Sequence, residues 1–360
     1  MGPAIDIGPV EAVGATSPQE PAWVGRPGLS VTEQPTQPGC WRWSQPPGGE
    51  CCVRLRGGAP PLATGWKSTI RSRVGNAEKQ PVALGDIQET LLIPLLARAV
   101  ETERNNGLVD DRRAVEIVAQ IDYDFDRWRG HPSLPGACLR TRIFDDIASA
   151  FLREHPEGTI VEIGCGLNTR FERIDNGRAT WIELDLPDSI ALRRRFFDDA
   201  PRRTMVVGSV LDEPWLDVVE DAPAPSLLLA EAVLIYLQPE AVRATVTRMA
   251  ERFGGSQFVT DICGEKMTSK ETARKAMRQL GINAWFEWTC NDARDIQTWH
   301  PGIELVTSGT MPALGGKFRP LLPFSWRAMM RLTPWLVRRL TEGYEIAHFR
   351  FGKAPSGPKQ

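Results

Sequence analysis

From Thr159 onward the chain alternates between short apolar runs rich in β-branched residues and longer segments whose apolar residues recur at helical spacing. The short runs are Thr159 to Ile163, Thr180 to Leu184, Thr204 to Val207, Ser226 to Ala230 and Gln257 to Ile262, separated by helical segments such as Asp188 to Phe197 and Pro239 to Phe253. Strands alternating with helices predict an α/β fold built on a doubly wound, mostly parallel sheet. A sixth strand at Ile303 to Thr307 and a last alternating one at Glu345 to Phe351 complete a seven-stranded sheet. Upstream the pattern is helical. "GDIQETLLIPLLARAVETE" places Ile87, Leu91, Leu95 and Ala99 on one face, with Asp86 where an N-cap belongs and Pro94 expected to kink or restart the helix. Two more helices are expected over Arg112 to Ile121 and Arg142 to Glu154.

The first 66 residues hold 11 Pro and 11 Gly and almost no periodic apolar pattern, the composition of a chain that cannot offset its ordering entropy. The expected organisation is a disordered tail over 1–80, a helical region over 81–157 and the sheet domain over 158–353, with an insertion at about 317–340 between its last strands. Because the next Met after Met1 is Met205, a further hypothesis is that the tail is not part of the native product, whose start would lie near Val74 or Val82. The intact mass of protein from its natural host tests this.

Composition removes several function classes. A chain of 360 residues with 42% hydrophobic and 24% charged residues is that of a globular protein, and a net charge of −2 offers no electrostatic footprint for a nucleic acid or an anionic membrane. The longest apolar run, Ser226 to Leu237, is too short to cross a bilayer and carries Glu231 in its middle. With no signal-peptide or myristoylation pattern at the N-terminus, the expected location is the cytoplasm. Seven scattered cysteines without a CxxC pair read as free thiols and offer no metal spacing.

The candidate chemistry lies in "TIVEIGCGLNTRFERID", where the first strand runs into Gly164-Cys165-Gly166. In a doubly wound sheet such a turn faces a ligand at the carboxyl ends of the strands. A dinucleotide site wants a third glycine, but Thr169 stands there; Glu162, two residues before Gly164, would repel a pyrophosphate and attract the cationic groups of S-adenosylmethionine. Asp185, at the end of "WIELD", is spaced to accept hydrogen bonds from ribose hydroxyls, which both cofactors require. Glu231 within an apolar run is costly unless it has a partner, and so is either functional or a helix cap.

Taken in order, "VEIGCGLNTRFERID", "WIELDLP", "VVGSVLDEPW" and "LLLAEAVLIYLQPE" resemble the successive motifs of the leucine carboxyl methyltransferase family, in particular its branch of tetracenomycin-type polyketide O-methyltransferases. "IQETLLIPLLARAVE", "DYDFDRW" and "RTRIFDD" resemble that branch's N-terminal region, so the likeness spans roughly Leu84 to Lys353. The resemblance implies a class I methyltransferase with a Rossmann-like core, a helical lid and S-adenosylmethionine as cofactor. It assigns Gly164 and Gly166 to the cofactor turn and Asp185 to the ribose. Arg142 (with Arg140 as fallback) is assigned to the cofactor's carboxylate, Ser209 and Val210 to the adenine, and Glu231 to the methyl-donor end. The chain departs from the family at Asn168, usually Asp, and at Ala232, usually Gly.

The resemblance implies methylation of a carboxyl or phenolic oxygen on a small aromatic or polyketide-like acceptor. A carboxylate arrives ionised, whereas a phenol wants a base, for which His300 in "TWHPG" and then Tyr236 are the candidates. In the insertion, Phe324, Trp326, Met329, Met330 and Trp335 interleave with Arg327, Arg331, Arg338 and Arg339, which reads as the lining of an acceptor pocket, as an amphipathic helix pair closing the core or, third, as an interfacial membrane helix. Trp285, Phe286 and Trp288 invite the same two readings, and Arg193 to Arg195 read as a solvated helix face. The alternatives are methylation of a protein C-terminal carboxylate, an NAD-dependent oxidoreductase, and a non-catalytic S-adenosylmethionine-binding protein. Oligomeric state is not legible.

Overall fold

The computed structural model describes residues 79–352 except 83, 86, 105, 129, 132, 270, 272–273, 275–277, 279–283, 334, 336 and 338–341. The Pro- and Gly-rich stretch up to residue 78, the Asp86 cap, Arg338 and Arg339 therefore lie outside the described residues.

Seven strands form one sheet: β1 (Thr159–Ile163), β2 (Thr180–Asp185), β3 (Arg203–Val207), β4 (Ser226–Ala230), β5 (Gln257–Cys263), β6 (Ile303–Thr310) and β7 (Tyr344–Phe351). Their order is β3-β2-β1-β4-β5-β7-β6, with β7 antiparallel to both of its neighbours and every other pairing parallel. The chain winds outward from β1 to β3, then returns to lay β4 beside β1, so the winding reverses between those two strands and opens a crevice at their carboxyl ends. Every residue of β1 and β4 is buried, as central strands covered on both faces must be.

Alternation sends the two sides of each strand into two cores. Ile160, Trp181, Leu227 and Leu229 pack in one with helices α1 (Leu92–Thr102), α2 (Arg112–Gln120) and α3 (Leu134–Glu154). Val161, Ile182, Leu184, Leu228 and Phe258 pack in the other. The shorter helices α4 (Arg170–Ile174) and α5 (Pro187–Arg193) follow β1 and β2, while α6 (Pro214–Glu220) and α7 (Pro239–Arg252) join the second core through Trp215, Leu216, Val242 and Val246. A last helix, α8 (Phe324–Leu332), lies in the insertion. Among the described residues no helix is long and apolar enough to cross a membrane.

Of the two outcomes expected at Pro94, the structure shows the restart: a 3-10 turn over Gln88–Leu91 gives way to α1, and Pro94 sits in the first turn, where its missing N–H had no intrahelical partner to lose. One helical expectation needs correction. α3 begins at Leu134 rather than at Arg142, because Pro135 also fits a first turn and Gly136 is carried within the helix. Those added two turns help to build the site.

Candidate functional site

After β1 the chain turns through Gly164 and Gly166 at φ of +65° and +46°, conformations that a side chain resists. The Gly164 and Cys165 N–H groups donate to the Leu184 carbonyl (2.8 and 3.1 Å), and Gly166 N–H donates to Asp185 Oδ2 (2.6 Å). Two buried arginines hold the carbonyls that follow. Arg98 Nη2 donates to Leu167 O (2.8 Å), and Arg193 Nη1 to both Gly166 O and Asn168 O (2.8 Å each). Arg193 is thus no solvated residue: it is fully buried against Glu183, which faces Glu162 across the β1–β2 register, while Arg194 and Arg195 are exposed. Thr169, in the place of a third glycine, is also fully buried and hydrogen-bonds Asp111.

A cavity of about 830 Å³ lies against this turn. Glu162, Gly164, Gly166, Asp185, Ser209, Val210, Glu231 and Tyr236 all line it, as the sequence led one to expect. Arg142 and His300 do not. Arg142 is two positions beyond Arg140 on α3, which turns it about 200° away; its guanidinium lies over the Phe318 ring, 5.0 Å from the centroid. Arg140 faces the cavity instead. His300 precedes β6, which runs parallel to the central strands, so it stands at the amino end of the sheet, opposite the crevice. There its Nδ1 accepts from the Gly302 N–H (3.1 Å). The histidine that lines the cavity is His131, which sequence reasoning missed.

Charge at the glycine-turn end of the cavity is organised around Arg170, 1% exposed. It bonds Asp145 Oδ1 (2.8 Å), Glu231 Oε2 (2.6 Å) and Glu162 Oε1. Arg140 Nε and Thr141 Oγ1 both donate to Glu231 Oε1 (3.0 and 2.9 Å), and Arg140 Nη1 donates to Tyr344 Oη (3.0 Å). Burial alone would raise the Glu231 pKa, but Arg140 and Arg170 hold it below the ordinary range, so it stays ionised. Glu162 goes the other way: burial raises its pKa despite Arg170, and its Oε2 is buried with no hydrogen-bond partner. Asp185 is raised by burial, against the Gly166 and Leu186 N–H groups that it accepts. The Cys165 thiol is pushed well up by burial, which keeps it protonated and a poor nucleophile.

Ala232 follows Glu231 at φ +55°, and its N–H is held by both Asp261 oxygens (3.0 Å each). This gives the physical reason for glycine at that position: a left-handed residue with a Cβ carries strain of about 1–2 kcal/mol. Part of that is offset by the entropy a glycine restores to the unfolded chain, so Ala232→Gly is expected to stabilise by about 0.5–1 kcal/mol in equilibrium urea unfolding. A loss of stability would show that Asp261 already removes the strain.

Comparison with known proteins identifies the family. The profile described as leucine carboxyl methyltransferase matches residues 92–250. The S-adenosyl-L-methionine-dependent methyltransferase dpfgK of Gibberella zeae is 30% identical over 250 residues, covering 63% of this chain and 83% of that one. The chain belongs to the leucine carboxyl methyltransferase family. A further relative, the tetracenomycin polyketide synthesis O-methyltransferase TcmP of Streptomyces glaucescens, is 29% identical over 234 residues, 64% of this chain and 86% of its own. Among solved structures, a DUF574 family protein of Streptomyces avermitilis is similar at a TM-score of 0.45 and 17% identity, covering 71% of this chain and 96% of its own. This leucine carboxyl methyltransferase family member is an S-adenosylmethionine-dependent methyltransferase with a Rossmann-like fold, and its cofactor is not a nicotinamide dinucleotide. The residues present fit that cofactor: the unpartnered Glu162 Oε2 is an open acceptor for an ammonium, and Asp185, which accepts the Gly166 and Leu186 N–H groups and the Ser189 hydroxyl, lines the cavity with acceptor capacity left for a hydroxyl.

Proposed function

We propose that the protein methylates a carboxyl or phenolic oxygen of a small aromatic or polyketide-like molecule. The observation that carries this reading is the continuity of the cavity. Its glycine-turn end and an apolar end made by Leu237, Phe286, Met311, Trp326 and Met329 share one space of about 830 Å³, near the top of the usual range of roughly 300–1,000 Å³ for ligand sites. The polyketide O-methylation named for the Streptomyces glaucescens relative supports the same class.

In this reading Gly164 and Gly166 allow close approach of the backbone, Asp185 takes the ribose hydroxyls, and Ser209 and Val210 border the adenine. Arg140, in place of Arg142, takes the donor's carboxylate; Glu231 and Glu162 take its ammonium. S-adenosylmethionine supplies a methyl group on a cationic sulfur, open to in-line attack by an oxygen. The protein has to align that oxygen and keep water away, which suits walls of Phe286, Trp326 and Met329. A carboxylate is favoured over a phenol because, among the described residues, neither Tyr236 nor His131 offers a free base to the acceptor end. Burial pushes the Tyr236 phenol up to about 12, so it keeps its proton and is not the phenolate that a base would require. Burial lowers the His131 pKa, and its Nδ1 is engaged by Ser133 Oγ (2.7 Å) and Ser133 N–H (3.3 Å).

Two measurements test the proposal. In calorimetric titration, S-adenosylmethionine and S-adenosylhomocysteine are expected to bind and NAD not. With radiolabelled methyl donor, aromatic carboxylic acids are expected to gain a label that mild alkali removes, as from an ester, and Glu231→Gln to lower the rate at least tenfold. Label that survives alkali would assign a phenol. Label found only on peptides with a free C-terminal carboxylate would overturn the small-molecule reading.

A further inference from the structure

The outer side of the insertion has no part in the site described above. Between Glu304 and Glu342 the chain carries six cations, Lys317, Arg319, Arg327, Arg331, Arg338 and Arg339, and no acid, although 45 of its 360 residues are Asp or Glu. The net charge of −2 therefore conceals a strongly basic segment. Lys317 is taken up by Asp146 (2.5 Å), but Arg319, Arg327 and Arg331 are exposed and have no ion pair among the described residues.

The same segment gathers the exposed apolar surface. Among the described residues, the large hydrophobic side chains that are more than half exposed are Phe324 (78%), Leu332 (76%) and Trp335 (64%). At about 100° per residue, α8 divides into two faces. Trp326, Met329 and Met330 point inward, the first two onto the cavity and the third onto the core. Phe324, Arg327, Arg331 and Leu332 fall on the opposite face, where apolar and cationic side chains stand together in water. A cluster of that kind marks a surface that meets a partner.

We infer that the outer face of α8 docks on an anionic lipid surface, with Phe324, Leu332 and Trp335 entering the headgroup layer and Arg319, Arg327 and Arg331 meeting lipid phosphates. Charge sets the sign of the partner: three unpaired cations with no acid in the segment call for an anionic one. Its physical form follows from how far the apolar side chains project. A protein partner would need a pocket for each, whereas a fluid interface closes around them. Tryptophan is favoured at that depth, and arginine stems lie along the apolar layer while their guanidinium groups reach the phosphates. Because the inner face of the same helix walls the cavity, docking sets the cavity beside the phase in which a flat apolar acceptor collects. That consequence rests on the methyl-transfer reading above; the docking itself does not.

The test is co-sedimentation of the full chain with vesicles of phosphatidylcholine, alone or mixed with about one-third phosphatidylglycerol, at low salt. Wild type is expected to bind the anionic vesicles, and the neutral ones at least tenfold more weakly. At roughly fivefold for each basic residue near such a surface, Arg327→Gln with Arg331→Gln should lose at least tenfold, and Phe324→Ser with Leu332→Ser severalfold. Both double variants should melt within a few degrees of wild type, since these side chains are exposed, and bind S-adenosylhomocysteine within about twofold of it. Absence of wild-type binding to anionic vesicles, equal binding to neutral ones, or equal binding by the arginine variant overturns the inference. Retention of poly-glutamate without binding to vesicles would assign the face to an acidic protein. A dimer that Phe324→Ser with Leu332→Ser dissolves, again without binding to vesicles, would assign it to a second copy of the chain; either result overturns the lipid partner. Failure of wild type to bind S-adenosylhomocysteine would overturn the methyl-transfer reading and leave the docking face standing.

Discussion

Arg170→Leu is expected to destabilise the protein by roughly 3–5 kcal/mol and to abolish tight binding of S-adenosylmethionine, because it removes the shared partner of three buried carboxylates. The remaining partners are unequal. Asp145 keeps Arg173, and Glu231 keeps Arg140, but Glu162 keeps only a long hydrogen bond from Asn168 Nδ2 (3.3 Å). Glu162 is therefore where the loss concentrates, and adding Glu162→Gln to Arg170→Leu should recover part of the stability, since an amide needs no counter-charge. Urea unfolding of the two single variants and the double variant measures the coupling. A cost below about 1 kcal/mol for Arg170→Leu would mean that water reaches these acids and that the cluster is not the dry frame described above.

The same pairing fixes the acid limit of the fold. Burial would raise the Asp145 pKa, but the guanidinium groups of Arg173 and Arg170 outweigh it and hold the carboxyl at about 2. A depressed carboxyl contributes stability that is complete above its unfolded value, near 4, and is lost as pH falls through the folded one. Asp145 should thus resist acid until roughly pH 4 and give up its contribution between there and about pH 2. Asp145→Asn is expected to flatten that part of the stability curve.

Asp185→Ala is expected to weaken S-adenosylmethionine binding by roughly 10²–10³-fold, the loss of two charge-assisted hydrogen bonds of about 1.5–3 kcal/mol each, with some recovery from solvent. It should cost little folding stability by comparison. Asp185 lies at the end of β2, half in the cavity, and the N–H groups of Gly166 and Leu186 that it accepts border space that water can enter. Calorimetry read beside thermal unfolding separates the two effects. A parallel collapse of both would make Asp185 a frame residue rather than a ligand-facing one, and unchanged affinity would remove it from the ribose role.

How far the site was legible follows from the kind of signal each residue carries. Gly164, Gly166 and Asp185 are tied to strand ends, so finding the strands located them. Glu231 stood out because an acid in an apolar run demands a partner. The partner was not visible. Arg170 lies in "NTRFERID", where its spacing from Asp145, Glu162 and Glu231 carries no pattern. A signal for Arg193 did exist: Glu183 sits on the buried face of β2, and such an acid must find a cation, here Arg193 and Arg203. Choosing Arg142 over Arg140 depended on where α3 begins and how it is rotated, and "HPSLPGACLR" reads locally as a loop. His300 was misplaced because the motif showed a histidine beside a strand without showing which end of the sheet it would occupy.

The sequence by itself determined the alternation of strands and helices, the glycine turn with its spaced acid, and the family, because each is written in local periodicity or in fixed offsets along the chain. Only the tertiary structure decided which charges meet. Arg98, Arg140, Arg170 and Arg193 come from three helices and the end of a fourth, and their carboxylate partners from strands, helices and the residues that flank them, up to 91 residues away. Folding brings them into one dry layer where a charge must find its opposite or not be buried at all, and that requirement, which acts through space and not along the chain, leaves no mark in local sequence.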